Sequence, residues 1–274
     1  MGETQCQARR VSDYEHQTET GSYKKYSLGL VLSGGGARCF LQIGVLKALE
    51  EHNLQAQAVA GSNLGALIGA LYAAGLSASE MLEKLNGIFP KKIRSSEIVQ
   101  PFGVPGQVLR SVLSENDFQV LKKKLYVGVT CLESQSAEIL QKGKLFEAVS
   151  ASCSFPLLYT PVVLRGKHYL DGSLLNAFPI QPLEHSCKMV IGINVNHSSE
   201  KLVQHSFQSL YSKIFSMTPG QQVQNALHKC KYLIDPYLSS PCSLLDFSQA
   251  DRLYEQGYRE GVKLIEENPE ILHK

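Results

Sequence analysis

The chain has 274 residues, of which 43% are hydrophobic and 19% charged, and its net charge is +2. These values are typical of an ordered α/β domain, or of two small ones, with enough apolar residues to bury a substantial core. The interspersed charges exclude a basic stripe for nucleic acid, and no apolar run is long enough to span a membrane.

The beginning of the chain differs in composition from the rest. Residues 1–25 are polar and aperiodic, so we expect a disordered N-terminal tail followed by one domain over 26–270. The first residues have no apolar core and therefore do not predict a signal peptide. Seven cysteines without a C-x-x-C pair are typical of free thiols in a reducing compartment. Together these features predict a cytoplasmic protein.

The first half of the chain predicts strands that lead through tight turns into helices. The apolar run 27–33 is followed at once by three glycines and then by residues with helical spacing. A second apolar run, 57–61, leads into a predicted helix over 64–75, and Ser77 can cap the helix after that. This alternation is typical of a parallel sheet with helical crossovers.

The middle of the chain, 88–114, predicts a loop or lid because it is rich in proline and glycine. Three basic residues stand there among apolar ones: Lys91, Lys92 and Arg94. They would allow a peripheral contact with anionic lipid headgroups, and a plain exposed loop is the alternative.

The second half predicts further strands and two closing helices. Strands are expected at 126–130, 137–140 and 188–195, a hairpin over 161–170, and helices at 144–152, 205–230 and 248–267. The lysine run 122–124 indicates a solvated helix end. Because no repeat or shift in composition marks a second domain, the sequence predicts one α/β fold with a central, mainly parallel sheet flanked by helices.

Three successive glycines, Gly34, Gly35 and Gly36, follow the first predicted strand and precede Arg38. The backbone N–H groups of such a loop can converge on an anion beside a helix N-terminus. In an acyl hydrolase they would form an oxyanion hole, and in a nucleotide-binding protein they would hold phosphate. A tight turn without a ligand is the third alternative, and the loop alone does not decide among them.

Residues 61–65 read GSNLG, the form of a nucleophile elbow, in which a strand turns sharply into a helix and exposes one side chain. The elbow pattern is G-x-S-x-G, and its two glycines are present as Gly61 and Gly65. The central position, however, is Asn63, and the serine stands one place earlier as Ser62.

The order of glycine loop, elbow and a later Asp171-Gly172 turn resembles the patatin-like phospholipase family. The segments 148–162 and 252–261 resemble that family as well, and the resemblance covers about residues 27–265. It implies a patatin-like three-layer fold. It also implies hydrolysis of lipid acyl esters by a Ser–Asp dyad, without a metal or cofactor. It also implies a lipid or acyl-ester ligand, and it identifies no protein partner.

Carried over from the family, the aspartate is Asp171, the oxyanion loop is the glycine triplet with Arg38, and the nucleophile position falls on Asn63. Asp171 cannot activate an amide nitrogen by deprotonation at neutral pH, so the usual covalent route has no nucleophile. Cys39 replaces the last glycine of the family's loop, where a Cβ could displace the oxyanion donors. Ser173 follows the Asp-Gly pair in place of glycine or alanine.

These departures favour an inactive or strongly impaired family member that keeps an acyl-lipid pocket and serves binding or regulation. One alternative is an active lipid acyl-ester hydrolase that uses Asp171 with Ser62 or with an activated water. Another is an active enzyme that carries a serine-to-asparagine change at position 63. We expect Asn63 to adopt a positive φ and to lie within hydrogen-bond reach of Asp171, with Gly34, Gly35 and Gly36 lining the same cleft and Ser62 turned away.

Overall fold

The computed structural model describes most of the chain as a mixed sheet with helices on both faces. The described residues are 26–89, 103–156, 159–196, 228–238 and 244–273, together with 223, 226 and 242. Three sequence predictions lie outside them, wholly or for the greater part: the tail 1–25, the basic residues Lys91, Lys92 and Arg94, and the helix 205–230.

Within the described residues, eight strands form one sheet in the order β5–β6–β3–β2–β1–β7–β8, and β4 also pairs with β3. The strands are β1 Tyr26–Leu32, β2 Ala58–Ser62, β3 Lys124–Cys131, β4 Ser136–Leu140, β5 Val162–Leu164, β6 Lys167–Asp171, β7 Cys187–Ile193 and β8 Tyr232–Ile234. The strands β3, β2, β1, β7 and β8 pair in parallel, whereas β4, β5 and β6 join through antiparallel pairs. The predicted central, mainly parallel sheet is confirmed.

The helices that the structure describes are α1 Phe40–Glu51, α2 Leu64–Ala74, α3 Ala78–Ile88, α4 Gly103–Arg110, α5 Leu145–Ser152, α6 Gln181–Ser186 and α7 Ala250–Glu267. The predicted cap is confirmed at α3, where Ser77 and Glu80 exchange side-chain and backbone hydrogen bonds as a capping box. Within the described part of the chain, no helix is both long and apolar enough to cross a bilayer.

Two predictions from the middle of the chain are wrong in part. Residues 103–110 form α4 instead of a loop, because Val108 and Leu109 bury an apolar face and the helix packs against α5. Pro105 is compatible with this helix because it lies in the first turn, where a backbone donor is not needed. The lysine run 122–124 does not end a helix; it leads into β3.

The alternation of side chains along β1 explains the layers. Leu28, Leu30 and Leu32 join the larger core cluster, which contains the buried faces of α1 and α2. Val31 points to the other face and joins a smaller cluster with residues near α6. Because successive side chains of a strand alternate between faces, both faces of the central strand are covered.

Candidate functional site

The sheet register brings the sequence motifs together. The loop that follows β1 lies beside the elbow that follows β2, because the two strands pair in parallel. Ser62 pairs with Gly128 of β3, and the next residue, Val129, pairs with Asp171 at the end of β6. The elbow and the aspartate therefore meet at the carboxyl edge of the sheet, although 108 positions separate Asn63 from Asp171.

Asn63 occupies a strained turn between β2 and α2. Its φ is 54° and its ψ is −135°, a combination that few residues other than glycine adopt. The turn is also tight, since a Cβ on Gly61 would lie 2.4 Å from the carbonyl oxygen of Gly65. The positive φ expected at Asn63 is present, and it gives the side chain a fixed direction.

The Asn63 amide bridges two groups. Its Nδ2 donates to Asp171 Oδ2 at 2.5 Å, and its Oδ1 accepts the N–H of Gly36 at 3.2 Å. This orientation follows from hydrogen-bonding chemistry, because a backbone N–H can only donate and therefore requires the amide oxygen. The backbone of Asn63 is hydrogen-bonded as well. Its N–H donates to Ser152 Oγ at 3.0 Å, and its carbonyl accepts the Cys153 thiol at 3.1 Å.

Asp171 is fully buried and its oxygens are engaged. Oδ1 accepts the backbone N–H of Ser173 at 2.8 Å, and the Asp171 carbonyl accepts Thr130 Oγ1 at 2.8 Å. Burial raises the pKa of the Asp171 carboxyl to about 7, although hydrogen bonds from Ser173 and Asn63 act in the opposite direction. A carboxyl with a pKa near neutral pH could exchange a proton with a reacting group.

The glycine loop presents one of its N–H groups to Asn63. Gly36 lines the same pocket as Asn63 and donates to it. The N–H of Gly34 is used elsewhere, since it donates to the Ala177 carbonyl at 3.0 Å. Neither Gly34 nor Gly35 lines the pocket. The expectation that the whole triplet borders the cleft therefore holds for Gly36 only.

Arg38 and Cys39 lie behind the loop. Arg38 is fully buried and its Nε donates to the Cys242 carbonyl at 2.9 Å, so it does not line the pocket. Cys39 has an ordinary helical backbone with φ of −64°, and its Sγ lies 3.6 Å from the Ser33 carbonyl. A cysteine is therefore compatible with this position without strain, and the positive φ of the loop falls on Gly36. Burial raises the pKa of the Cys39 thiol far above its usual range, so the thiol is a poor nucleophile.

Ser62 is packed on another side of the elbow. Its Oγ donates to the Asn176 carbonyl at 2.7 Å, and the residue is fully buried. A Cβ on Gly128 would lie 2.3 Å from this oxygen, which shows how closely β3 approaches it. Ser62 does not line the pocket that Asn63 lines.

A narrow, mainly apolar pocket opens beside Asn63. Its walls come from separate segments and are Leu64, Phe89, Pro105, Phe155, Tyr159, Leu244, Leu245 and Phe247, with Gly36, Asn63 and Cys153. The cavity volume is about 50 Å³, which is small beside the roughly 300–1,000 Å³ of ordinary small-molecule sites. The glycine loop and the elbow supplied Gly36, Asn63 and Leu64, whereas no sequence motif identified Leu244, Leu245 and Phe247. The 148–162 segment contains Cys153, Phe155 and Tyr159, and the predicted loop or lid over 88–114 contains Phe89 and Pro105.

Known proteins resemble this chain in sequence and fold. The family model of the patatin-like phospholipases matches residues 30–184. Lysophospholipase NTE1 of Phaeosphaeria nodorum is 26% identical over 276 residues, which cover 86% of this chain and 18% of that protein. Lysophospholipase NTE1 of Kluyveromyces lactis is 24% identical over 277 residues, covering 88% and 19%. The crystal structure of VipD from Legionella pneumophila superimposes with a TM-score of 0.52 at 15% identity, covering 89% of this chain and 67% of VipD.

The extent of these matches limits what each supports. The chain spans less than a fifth of the length of these two lysophospholipases, and the likeness to VipD concerns the fold alone. The family match covers more than half of the 274 residues and includes the glycine loop, the elbow and Asp171. The chain therefore belongs to the patatin-like phospholipase family.

Proposed function

We propose that this chain is a patatin-like lipid hydrolase scaffold that keeps an acyl-lipid site and does not hydrolyse esters at an appreciable rate. The bridge made by Asn63 between Asp171 and the Gly36 N–H carries this proposal. In the mechanism that the family resemblance implies, a serine at this position attacks the ester carbonyl while glycine N–H groups hold the oxyanion. Here one amide side chain takes the nucleophile position and also contacts a candidate oxyanion donor.

The Asn63 amide cannot act as the nucleophile, and it occupies a candidate oxyanion donor. Its nitrogen lone pair is delocalised into the carbonyl group, and a carboxyl with a pKa of about 7 is too weak a base to deprotonate it. Its oxygen already accepts the Gly36 N–H, so a substrate carbonyl would have to displace it. Asn63 therefore removes the attacking group and competes for the electrostatic stabilisation.

The two alternatives for an active enzyme require rearrangements. Ser62 would have to leave the Asn176 carbonyl and reach the pocket, and a water-based mechanism would have to release Asp171 from the Asn63 amide. The other alternative, an active enzyme that carries a serine-to-asparagine change at position 63, predicts the same absence of ester hydrolysis for this chain as our proposal does. Restoring the serine tests whether Asn63 alone blocks the site, as the ordinary backbone of Cys39 leads us to expect, or whether other parts of the catalytic machinery are lost as well.

The apolar walls support an acyl chain as ligand. Each methylene moved from water into such a pocket contributes about 0.8 kcal/mol. The free space is too small for a long chain, so binding requires the walls to part. Phe89 and Phe247 stack with ring centroids 4.6 Å apart and belong to these walls. Peripheral membrane contact and a cytoplasmic location stay predictions.

The proposal can be tested with two assays on the purified full chain. Hydrolysis of p-nitrophenyl butyrate by the wild type should equal that of Asp171→Asn, because neither has a working nucleophile. A fluorescent fatty acid should bind saturably, and Leu245→Glu should weaken binding by about tenfold or more because it places a charge in the pocket wall.

Leu175→Glu is the matched control, since Leu175 is 38% exposed and does not line the pocket. Wild-type turnover well above that of Asp171→Asn would refute the loss of chemistry. Equal binding by Leu245→Glu and Leu175→Glu would refute the assigned lipid pocket.

A further inference from the structure

A second and wider cleft lies at the other end of the sheet. Tyr26 begins β1, Gln57 directly precedes β2 and Lys124 begins β3, and all three line this cleft. Because these strands are parallel, their amino ends share the edge that lies opposite the Asn63 pocket. The volume is about 510 Å³, within the range of small-molecule sites.

Four lysines line the cleft: Lys122, Lys123, Lys124 and Lys142. The other lining residues are apolar, aromatic or amide side chains, and none of them is acidic. Among the residues that the structure describes, no carboxylate lies within ion-pair distance of these lysines. Lys122 is within electrostatic reach of Glu80. The cleft is therefore a region of excess positive charge.

The backbone of the lysine run is fixed by the fold. The N–H groups of Lys122 and Lys123 donate to the Ala73 carbonyl at 2.8 and 3.2 Å. The N–H of Lys124 donates to the Gln57 carbonyl at 3.0 Å. These bonds tie the run to the end of α2 and the start of β2, so the three side chains leave from defined positions.

The ammonium groups of two lysines are positioned over aromatic rings. Lys123 Nζ lies 5.0 Å from the ring centre of Tyr72, and Lys124 Nζ lies 5.3 Å from that of Tyr126. Partial burial lowers the pKa of Lys123 and of Lys124, and the charge of Lys122 adds to this effect at Lys123. Lys123 Nζ also donates to Gln55 Oε1 at 3.3 Å. The repulsion between Lys122 and Lys123 is an electrostatic cost that a bound anion would offset.

We propose that this lysine cleft binds a phosphate-bearing anion. Four lysines around one cleft favour a ligand with more than one negative charge. Lysine binds phosphate oxygens through charge-assisted hydrogen bonds. A phosphate monoester or a polyphosphate meets both conditions. Phe118 and Leu121 belong to the same lining and would contact an organic part of the ligand.

The anion could belong to a soluble phosphate compound or to a phospholipid headgroup. Two probes separate these sources: sodium tripolyphosphate, followed by titration calorimetry, and phosphatidylcholine vesicles containing phosphatidic acid, followed by co-sedimentation. The full chain should bind at least one of them saturably. Binding of tripolyphosphate without vesicle retention assigns a soluble ligand, and specific vesicle retention assigns a lipid headgroup.

A matched pair of triple variants tests the location. In the cleft variant, Lys123, Lys124 and Lys142 become glutamine; in the control variant, Lys47, Lys144 and Lys263, which form surface ion pairs, become glutamine. Both lose the same formal charge. We expect the cleft variant to bind about tenfold more weakly or worse, and the control to change by less than about twofold.

Single replacement of Lys142, which is exposed, avoids any loss of folding and should weaken binding by about threefold. Equal losses in the two triple variants would show non-specific attraction to net charge and overturn the proposal. Absence of saturable binding to both probes would also overturn it.

Discussion

The two ends of the central sheet differ in size and in how their polar groups are satisfied. At the carboxyl edge the pocket has about 50 Å³, and the polar groups of Asn63, Asp171 and Gly36 bind one another. At the amino edge the cleft has about 510 Å³, and its lysines face no acidic lining residue. We infer that the first site has become closed to chemistry by an internal contact, whereas the second is open to a ligand.

The largest expected effect comes from restoring a nucleophile at the closed end. In Asn63→Ser the hydroxyl would lie next to Asp171, and the Gly36 N–H would be released. Because Cys39 has an ordinary backbone conformation, we expect kcat/KM for p-nitrophenyl butyrate to rise by about 10³-fold or more. The double variant with Asp171→Asn should return to the wild-type level.

A weak Asn63→Ser enzyme would point to further damage in the loop. If adding Cys39→Gly then raised the rate by about 10²–10³, the size of a lost oxyanion donor, Cys39 would be a second block. That result would contradict the view that Asn63 alone closes the site.

The closed end should also make stability depend on pH. The pKa of Asp171 is raised to about 7 in the folded protein, whereas the pKa of an aspartate in an unfolded chain is about 3.9. The protonated carboxyl therefore stabilises the fold below about pH 4, and this contribution is lost as the pH rises to about 7. Between about pH 5 and pH 8 the free energy of unfolding of the wild type should fall by about 2–3 kcal/mol relative to Asp171→Asn. Urea unfolding of both proteins measures this, and a constant difference would contradict the buried carboxyl.

Comparing two glycines sharpens the distinction between the strained loop and an ordinary helix. A Cβ on Gly36, where φ is 53°, would lie 2.2 Å from the Leu244 carbonyl oxygen, so Gly36→Ala should cost about 2–3 kcal/mol of unfolding free energy. Gly87, in α3, has no atom within 4 Å of the same position, and Gly87→Ala should add about 0.5–1 kcal/mol. Similar urea midpoints for the two variants would contradict this prediction, because they would show that the loop accommodates a Cβ at position 36 without loss of stability.

The smallest effect is expected at Ser62. Ser62→Ala removes the hydrogen bond to the Asn176 carbonyl and should cost about 1 kcal/mol of unfolding free energy. The same change should leave ester turnover at its background level in the wild type and at its raised level in Asn63→Ser. A loss of ester turnover in either protein would instead show that Ser62 takes part in hydrolysis.

The sequence predicted the elements with strong periodicity. The β1–α1 and β2–α2 units and the Ser77 cap follow from apolar spacing and a local hydrogen-bonding motif. It did not predict β8 or α6, since three and six residues are too few to show a period. In α4 the proline and glycine content concealed a short buried face.

The site was predicted in outline and not in its contacts. The family resemblance led to the expected pairing of Asn63 with Asp171, but no pattern indicates that the same amide reaches Gly36. Arg38 belongs to the loop in sequence, yet its long side chain extends to Cys242, a contact that depends on the folded positions of distant segments. The lysine run alone did not predict a cleft, because Lys142 and the strand ends that complete its lining are distant in sequence.

The central claim is that a formed elbow is blocked by a single amide, and covalent trapping tests it most directly. Wild type, Asn63→Ser and Asn63→Ser/Asp171→Asn would each be treated with a fluorophosphonate probe and mapped by peptide mass spectrometry. We predict an adduct on residue 63 of the Asn63→Ser protein, little in the double variant and none in the wild type. An adduct on Ser62 of the wild type, or none on a folded Asn63→Ser protein, would contradict the claim.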